Sequence, residues 1–453
     1  MNALAELTGA LPGKVVVTDP EAIEKYRFDW TRDSSAGTPR AVVRAESAEH
    51  VQTAVRWAAE HRVPVVPRGA GTGLSGGSTA VDGGIVLSLE RMRAIRIDTD
   101  CQVAIVEPGA FNAEVKAAAA EHCLWYPPDP SSYEICSIGG NVATNAGGLC
   151  CVKYGVTTDY VLGLDVVLAD GTLVTLGGKR IKDVAGLSLV KLFVGSEGTL
   201  GIVTRAILRL VPAQAVRSTL VASFADVDSA ARAVVEVGRT MRPSMMELMD
   251  RASINAVEDY RGMGLDRTAG ALLVAQSDAP GAARAEEVAV IRAACERAGA
   301  TEVFDTDDPE EGELFVEARR SAFPAIEARG ALLLEDVGAP IPQLPELLAA
   351  IAGIAAEHDI EIPVVAHAGD GNTHPIIVYD PTDPASEKRA RLAFDAVMRA
   401  AIALGGTITG EHGVGRAKRA ALPDQLGPDV MALTRRVKDA LDPDGILNPG
   451  AIL

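Results

Sequence analysis

No stretch of this 453-residue chain approaches the roughly 18 uninterrupted apolar residues that a membrane helix needs. The N-terminus, MNALAELTGALPG, has neither a basic start nor a long apolar core, so no secretory signal is expected. Positive charge is also scarce: 43 Lys and Arg stand against 61 Asp and Glu, a formal net charge of −18. A phosphate-binding surface needs a concentrated basic patch, so neither nucleic acid nor an anionic membrane is an expected partner. A small anion in a pocket that one or two arginines make locally positive is still allowed. The six cysteines (Cys101, Cys123, Cys136, Cys150, Cys151, Cys295) show no CxxC spacing. They offer neither a zinc knuckle nor an iron–sulfur ladder. Reduced thiols and a cytoplasmic location are the expectation, with vicinal Cys150 and Cys151 open to packing or to redox chemistry.

What is present reads as an ordinary globular chain, long enough for two or three domains. From residue 40, PRAVVRAES predicts a strand, Ser47 an N-cap, AEHVQTAVRWAAEH an amphipathic helix and PVVPRG a second strand. Short strands and turns continue to about residue 212. The texture then changes to three strand–helix–strand units, the last ending in a hairpin at PVVAHAGDGNTHPIIVYD. These predict an α+β architecture with helices on one face of a mixed sheet. The expected domains are 1–214, with a core from about 38, and 215–453, with the tail 408–453 packing back toward the first.

The β-α-β opening leads into RGAGTGLSGG, residues 68–77, which formally matches GxGxxG. A dinucleotide-binding βαβ unit needs a helix to start at this loop, but too few residues separate Gly76 from the strand at Ile85 for a crossover helix. The segment suits either an extended phosphate cradle or a flexible surface loop. Two further small-residue runs, PPDPSSYEICSIGGNVATNAGG and VGSEGTLGIVT, favour a long, flat, polyphosphate-bearing ligand. Farther on, HAGDGNTHP places two of only seven histidines around a Gly-Asp-Gly-Asn turn. Directly opposed residues of a hairpin have Cβ atoms about 5 Å apart, close enough for two imidazoles to share a metal ion or simply to cap the turn. TITGEHGVGR brings Glu411 and His412 together on a glycine-rich bend, as site residues or as solvated loop charges.

In order and wording, RGAGTGLSGG, PPDPSS…IGGNVATNAGG, YGVTTDYVLGLDVVLADG and KDVAGLSLVKLFVGSEGTLGIVT resemble FAD-binding flavoproteins of the vanillyl-alcohol oxidase (PCMH) type. HAGDGNTHP, GEHGVGR and LDPDGILNPG resemble the FAD-linked oxidase C-terminal domain. Together, over about 400 residues, they resemble the group formed by the FAD-linked glycolate oxidase subunits, the D-lactate dehydrogenases and the D-2-hydroxyglutarate dehydrogenases.

That resemblance implies a cofactor and a set of residues. Pro67, Arg68, Gly69, Ala70, Gly71, Thr72, Gly73, Ser75, Gly76 and Gly77 would hold the FAD pyrophosphate. Pro130, Ser131, Ser137, Gly139, Gly140, Thr144, Ala146 and Gly147 would line the isoalloxazine and ribityl chain. Glu197, Gly198 and Ile202 would meet the adenine side. Thr72 stands where some relatives carry a flavin-linked histidine, which implies non-covalent FAD. His367, His374 and Glu411 would be ligands to a divalent metal (zinc, manganese or iron), His412 the catalytic base, and Arg319 the clamp on the substrate carboxylate, with Asn372 also at the substrate. Adjacent Arg320 competes with Arg319 for that role. Leu334 and Ile376 stand where the 2-hydroxyglutarate enzymes carry a lysine and an asparagine, which favours a smaller or more apolar D-2-hydroxy acid.

The implied reaction is oxidation of that acid, with electrons leaving to an iron–sulfur subunit, an electron-transferring flavoprotein or the quinone pool. The resemblance also allows a homodimer and a peripheral position at the inner membrane face. A non-redox enzyme of the alkylglycerone-phosphate synthase type, a metal-dependent hydrolase and a non-catalytic FAD-binding subunit are the competing readings.

Overall fold

The structure, a computed structural model, describes residues 3–33 and 35–453. It divides into two compact units. The first comprises Met1–Gly147, Val156–Ala213 and Glu411–Leu453, and the second Gly148–Gly155 with Gln214–Gly410.

In the first unit, Ser47 caps the helix Ala48–His61 by accepting the N–H of His50. That helix connects the strands Ala41–Arg44 and Val65–Arg68, and both pair in parallel with Ile85–Ser88, which lies between them. A separate five-stranded sheet is antiparallel at every pair, in the order Ile95–Asp98, Val103–Val106, Ile202–Arg209, Val161–Val167, Leu173–Gly177. Each sheet has its own apolar core. Val43, Val55, Val65 and Leu87 belong to one, and Val106, Ile138, Leu164 and Leu208 to the other. Near the C-terminus, Leu447 bridges to Val65, so the last residues extend the edge of the first sheet.

The second unit is built on one large sheet. Its strand order is Ala300–Thr306, Ser218–Phe224, Ala271–Ser277, Met245–Asp250, Val364–His367, Asn372–Tyr379, Ala331–Leu334, with Val337–Gly338 also paired to Asn372–Tyr379. Every pair among the described residues is antiparallel, so the mixed sheet expected from the alternating units is not formed. Nor do the helices cover one face only. Val221, Val274, Met245, Met249 and Val365 pack against the helices Arg251–Arg261, Pro309–Arg320 and Ala322–Glu327. The alternate residues Leu220, Ala222, Met246, Leu248 and Leu273 are just as buried, and the remaining helices cover them. The strands themselves show the need: Ser218–Phe224 and Ala271–Ser277 carry apolar residues on both faces and are buried at every position, and such strands need a cover on both sides.

Candidate active site

In the first unit the three glycine-rich segments come together. Ser137 caps the helix Ile138–Thr144 and accepts the N–H groups of Gly140 and of Ala70, tying the second segment to the first. A Cβ on Gly69 would strike the Ser137 hydroxyl. The third segment joins through Gly198, whose φ of +71° favours glycine and whose missing side chain makes room for the Pro67 ring. Along the first loop, the N–H groups from Gly71 to Gly77 have no acceptor among the described residues. Backbone donors in a glycine-rich run are what a pyrophosphate requires. Arg68 begins the loop, half-buried, and donates to the Phe28 carbonyl at 2.6 Å. Burial lowers its guanidinium pKa, and nearby Asp29 opposes that shift. The residues present therefore fit an FAD cradle. Within it Ile202 is a buried core residue, Ser131 is exposed, and Pro130, Ala146 and Gly147 are buried.

Glu197 also reaches beyond its own segment. Its carboxylate accepts the N–H groups of Val414 at 2.7 Å and Gly415 at 2.8 Å, both in GEHGVGR. Ser75 donates to the carbonyl of His412 at 3.1 Å, and Arg416 and Ala417 donate to the Ser75 carbonyl. The bend carrying Glu411 and His412 is thus laced to two of the glycine-rich segments. The two side chains lie with Glu411 Oε1 3.8 Å from His412 Nε2. Burial pushes the Glu197 carboxyl up to about 7, against the two N–H bonds that lower it.

In the second unit, His367 ends the strand Val364–His367, and His374 is the third residue of Asn372–Tyr379. They are not directly opposed, as a simple hairpin register suggested. His367 pairs with Asn372 and His374 with Val365, a two-residue offset that leaves both histidines on one face. Their rings meet edge to face, with centroids 5.0 Å apart. Arg319, from the last turn of Pro309–Arg320, reaches the same face and is buried, whereas the Arg320 side chain is 30% exposed and bound to Glu313. Between Arg319 and His367 stands a residue that no motif announced. Glu247, 1% exposed, places its two oxygens 2.8 and 2.9 Å from His367 Nδ1 and one of them 2.9 Å from Arg319 Nε. Arg319 Nη2 has no hydrogen bond among the described residues.

A second unannounced carboxylate, the fully buried Asp336, accepts from Asn372 Nδ2 at 3.0 Å, Thr409 Oγ1 at 2.7 Å and the N–H of Gly410 at 2.9 Å. His374 Nδ1 lies 3.7 Å from it. Glu411 and His412 are the next two residues of the chain after Gly410. The sequence did carry a faint signal for both acids: MMELMD and LLLEDV each set carboxylates in an otherwise apolar run. A metal-ligating histidine ordinarily gives its other ring N–H to a carboxylate, so the His367–Glu247 contact fits a metal ligand.

A loop cradle for FAD in one unit and a buried histidine–arginine–carboxylate cluster in the other define a flavin-dependent oxidoreductase. The chain belongs to the FAD-linked oxidase family: residues 213–452 match the model for "FAD linked oxidases, C-terminal domain", and residues 39–177 that for "FAD binding domain". It is 41% identical to glycolate oxidase subunit GlcD of Bacillus subtilis, over 94% of this chain and 91% of the relative. It is 36% identical to a D-lactate dehydrogenase of Archaeoglobus fulgidus, over 97% of this chain and 98% of that one. The fold matches p-cresol methylhydroxylase with a TM-score of 0.83 at 19% identity, covering 99% of this chain and 95% of that one. The PCMH-type architecture is thereby shown.

Proposed function

We propose that the protein oxidises a small D-2-hydroxy acid of the glycolate or D-lactate kind to its 2-oxo acid and passes the electrons to an external acceptor. The observation that carries this reading is Arg319, buried, ion-paired through Nε and with Nη2 unsatisfied beside two histidines. An arginine in that state suits a small carboxylate, which it can grip through a charge-assisted bond. Leu334 faces Ile376 across the ladder, an apolar pair where a second substrate carboxylate would need polar partners. That favours a short, uncharged substrate side chain over 2-hydroxyglutarate.

Arg319 holds the carboxylate and so fixes the α-carbon. His412 takes the proton from the 2-hydroxyl as general base. His367, His374 and Glu411 would hold a divalent metal, whose Lewis acidity makes that hydroxyl easier to deprotonate. Bound FAD supplies the two-electron acceptor for the α-carbon's hydrogen. The chain has no iron–sulfur cysteine ladder, and no helix among the described residues is long and apolar enough to cross a membrane. One relative is named as a subunit, which supports a partner protein as the next carrier. Peripheral contact with a membrane quinone pool is the competing route.

The test is anaerobic mixing with a panel of D- and L-2-hydroxy acids, followed by reoxidation of the reduced flavin. Bleaching by glycolate or D-lactate, with slow reoxidation by air and fast reoxidation by dyes, is expected. No bleaching by any 2-hydroxy acid sinks the proposal, and rapid turnover with oxygen makes the protein an oxidase.

A further inference from the structure

Glu247 sits mid-strand in Met245–Asp250, between the strands Ala271–Ser277 and Val364–His367. A carboxylate almost wholly removed from water is costly unless its lone pairs are used. Here they are. Both oxygens lie within hydrogen-bond reach of His367 Nδ1, and one of them also forms an ion pair with Arg319 through Nε at 2.9 Å. Because the carboxylate only accepts, it assigns the ring proton of His367 to Nδ1 and makes Nε2 the lone-pair nitrogen of the neutral ring. The same group is ion-paired to Arg319 at Nε, and Nη2 of that guanidinium makes no hydrogen bond among the described residues.

We propose that Glu247 is a positioning residue that sets two functions at once: the ligand nitrogen of His367 and the orientation of the Arg319 clamp. This rests on the reading of His367 as a metal ligand and Arg319 as the carboxylate grip. Its chemical content lies in the number of acceptors. A glutamine of the same shape carries no charge and replaces one acceptor oxygen with a donating NH2, so it loses the ion pair with Arg319 and must turn its one oxygen to His367 Nδ1. One function must loosen, and the negative charge that raises the basicity of His367 is lost for both. Loss of such an outer carboxylate weakens metal affinity by about 10–100-fold.

The experiment uses the FAD-loaded protein and three readouts: metal content by elemental analysis, Zn²⁺ and Mn²⁺ affinity after chelator treatment, and pyruvate binding read as a shift in the flavin spectrum. Glu247→Gln should keep its FAD, bind metal about 10–100-fold more weakly and bind pyruvate more weakly. Asp250→Ala controls for general damage. Asp250 ends the same strand and caps the next helix by accepting the Ser253 N–H, so its loss should lower stability and leave both affinities intact.

If Asp250→Ala weakens both affinities as much as Glu247→Gln, the effect is unfolding and the inference fails. If His367→Ala loses metal and Arg319→Ala loses pyruvate while Glu247→Gln matches wild type, the inference fails and the underlying reading stands. If wild type holds no metal and His367→Ala changes nothing, that reading itself is wrong, and the inference falls with it. Should Glu247→Gln not fold, Glu247→Asp keeps the charge and shortens the reach. Weakened binding with FAD retained then supports the proposal, and wild-type affinities overturn it.

Discussion

Replacing Glu197 with glutamine should change the pH dependence of stability more than stability itself. The carboxyl is buried and its pKa raised from the usual 4.5 to about 7. The folded protein therefore holds the Glu197 proton more tightly than the unfolded chain does. Stability from this source is fully present below pH 4.5 and is lost as the pH rises through 7. At ~1.4 kcal/mol per pH unit, the whole window amounts to about 3 kcal/mol. Between pH 5 and pH 8 the loss is about 2–3 kcal/mol, because part of it has already occurred by pH 5. Glutamine does not titrate, and its amide can still accept one of the two N–H groups from Val414 and Gly415. The advantage of wild type over Glu197→Gln should shrink by that amount across the interval. Urea unfolding at several pH values, followed by flavin fluorescence and far-UV circular dichroism, measures it. Differencing the two proteins removes the other titrating groups. A gap that stays constant within about 0.5 kcal/mol from pH 5 to 8 would refute the reasoning, because a carboxyl with an ordinary pKa predicts no such change.

Arg319→Ala should weaken capture of the substrate carboxylate by roughly 2–5 kcal/mol, read as the binding constant for pyruvate, while Arg320→Ala, whose side chain faces Glu313, should change it little; a costlier Arg320 change would move the clamp by one residue. Acid or heat should release FAD intact, since Thr72 stands in the first loop where a linking histidine would be needed, and flavin that stays with the precipitated chain would contradict this. His374→Ala and Glu411→Ala should each lose metal by elemental analysis and keep FAD, and full turnover by a metal-stripped preparation would remove the metal from the mechanism.

Local features are decided by residues close in sequence. The cap at Ser47 and the turn between His367 and His374 follow from neighbours only a few positions away. The three glycine-rich segments can be read from the chain because a backbone that must approach phosphate excludes side chains along a whole run. Sequence also puts Arg319 and the two histidines among the site residues, through resemblance rather than through spacing.

What it cannot do is choose partners across long separations. Glu247 is one acid in an apolar strand, and its contact is 120 residues away at His367. Nothing in MMELMD distinguishes a buried acceptor from an edge charge until the sheet sets Val364–His367 beside it. Nor does the segment GSEGTLG reveal that the Glu197 carboxylate meets Val414, 217 residues on. The two-sided cover of the large sheet is hidden for a related reason: alternation marks a strand with one buried face, and strands apolar on both faces have none. Periodicity and turn chemistry act over a few residues, so the chain alone determined its elements and its loops. Buried polar groups must find acceptors wherever the fold brings them, and only the tertiary structure decided which carboxylate each of those donors would meet.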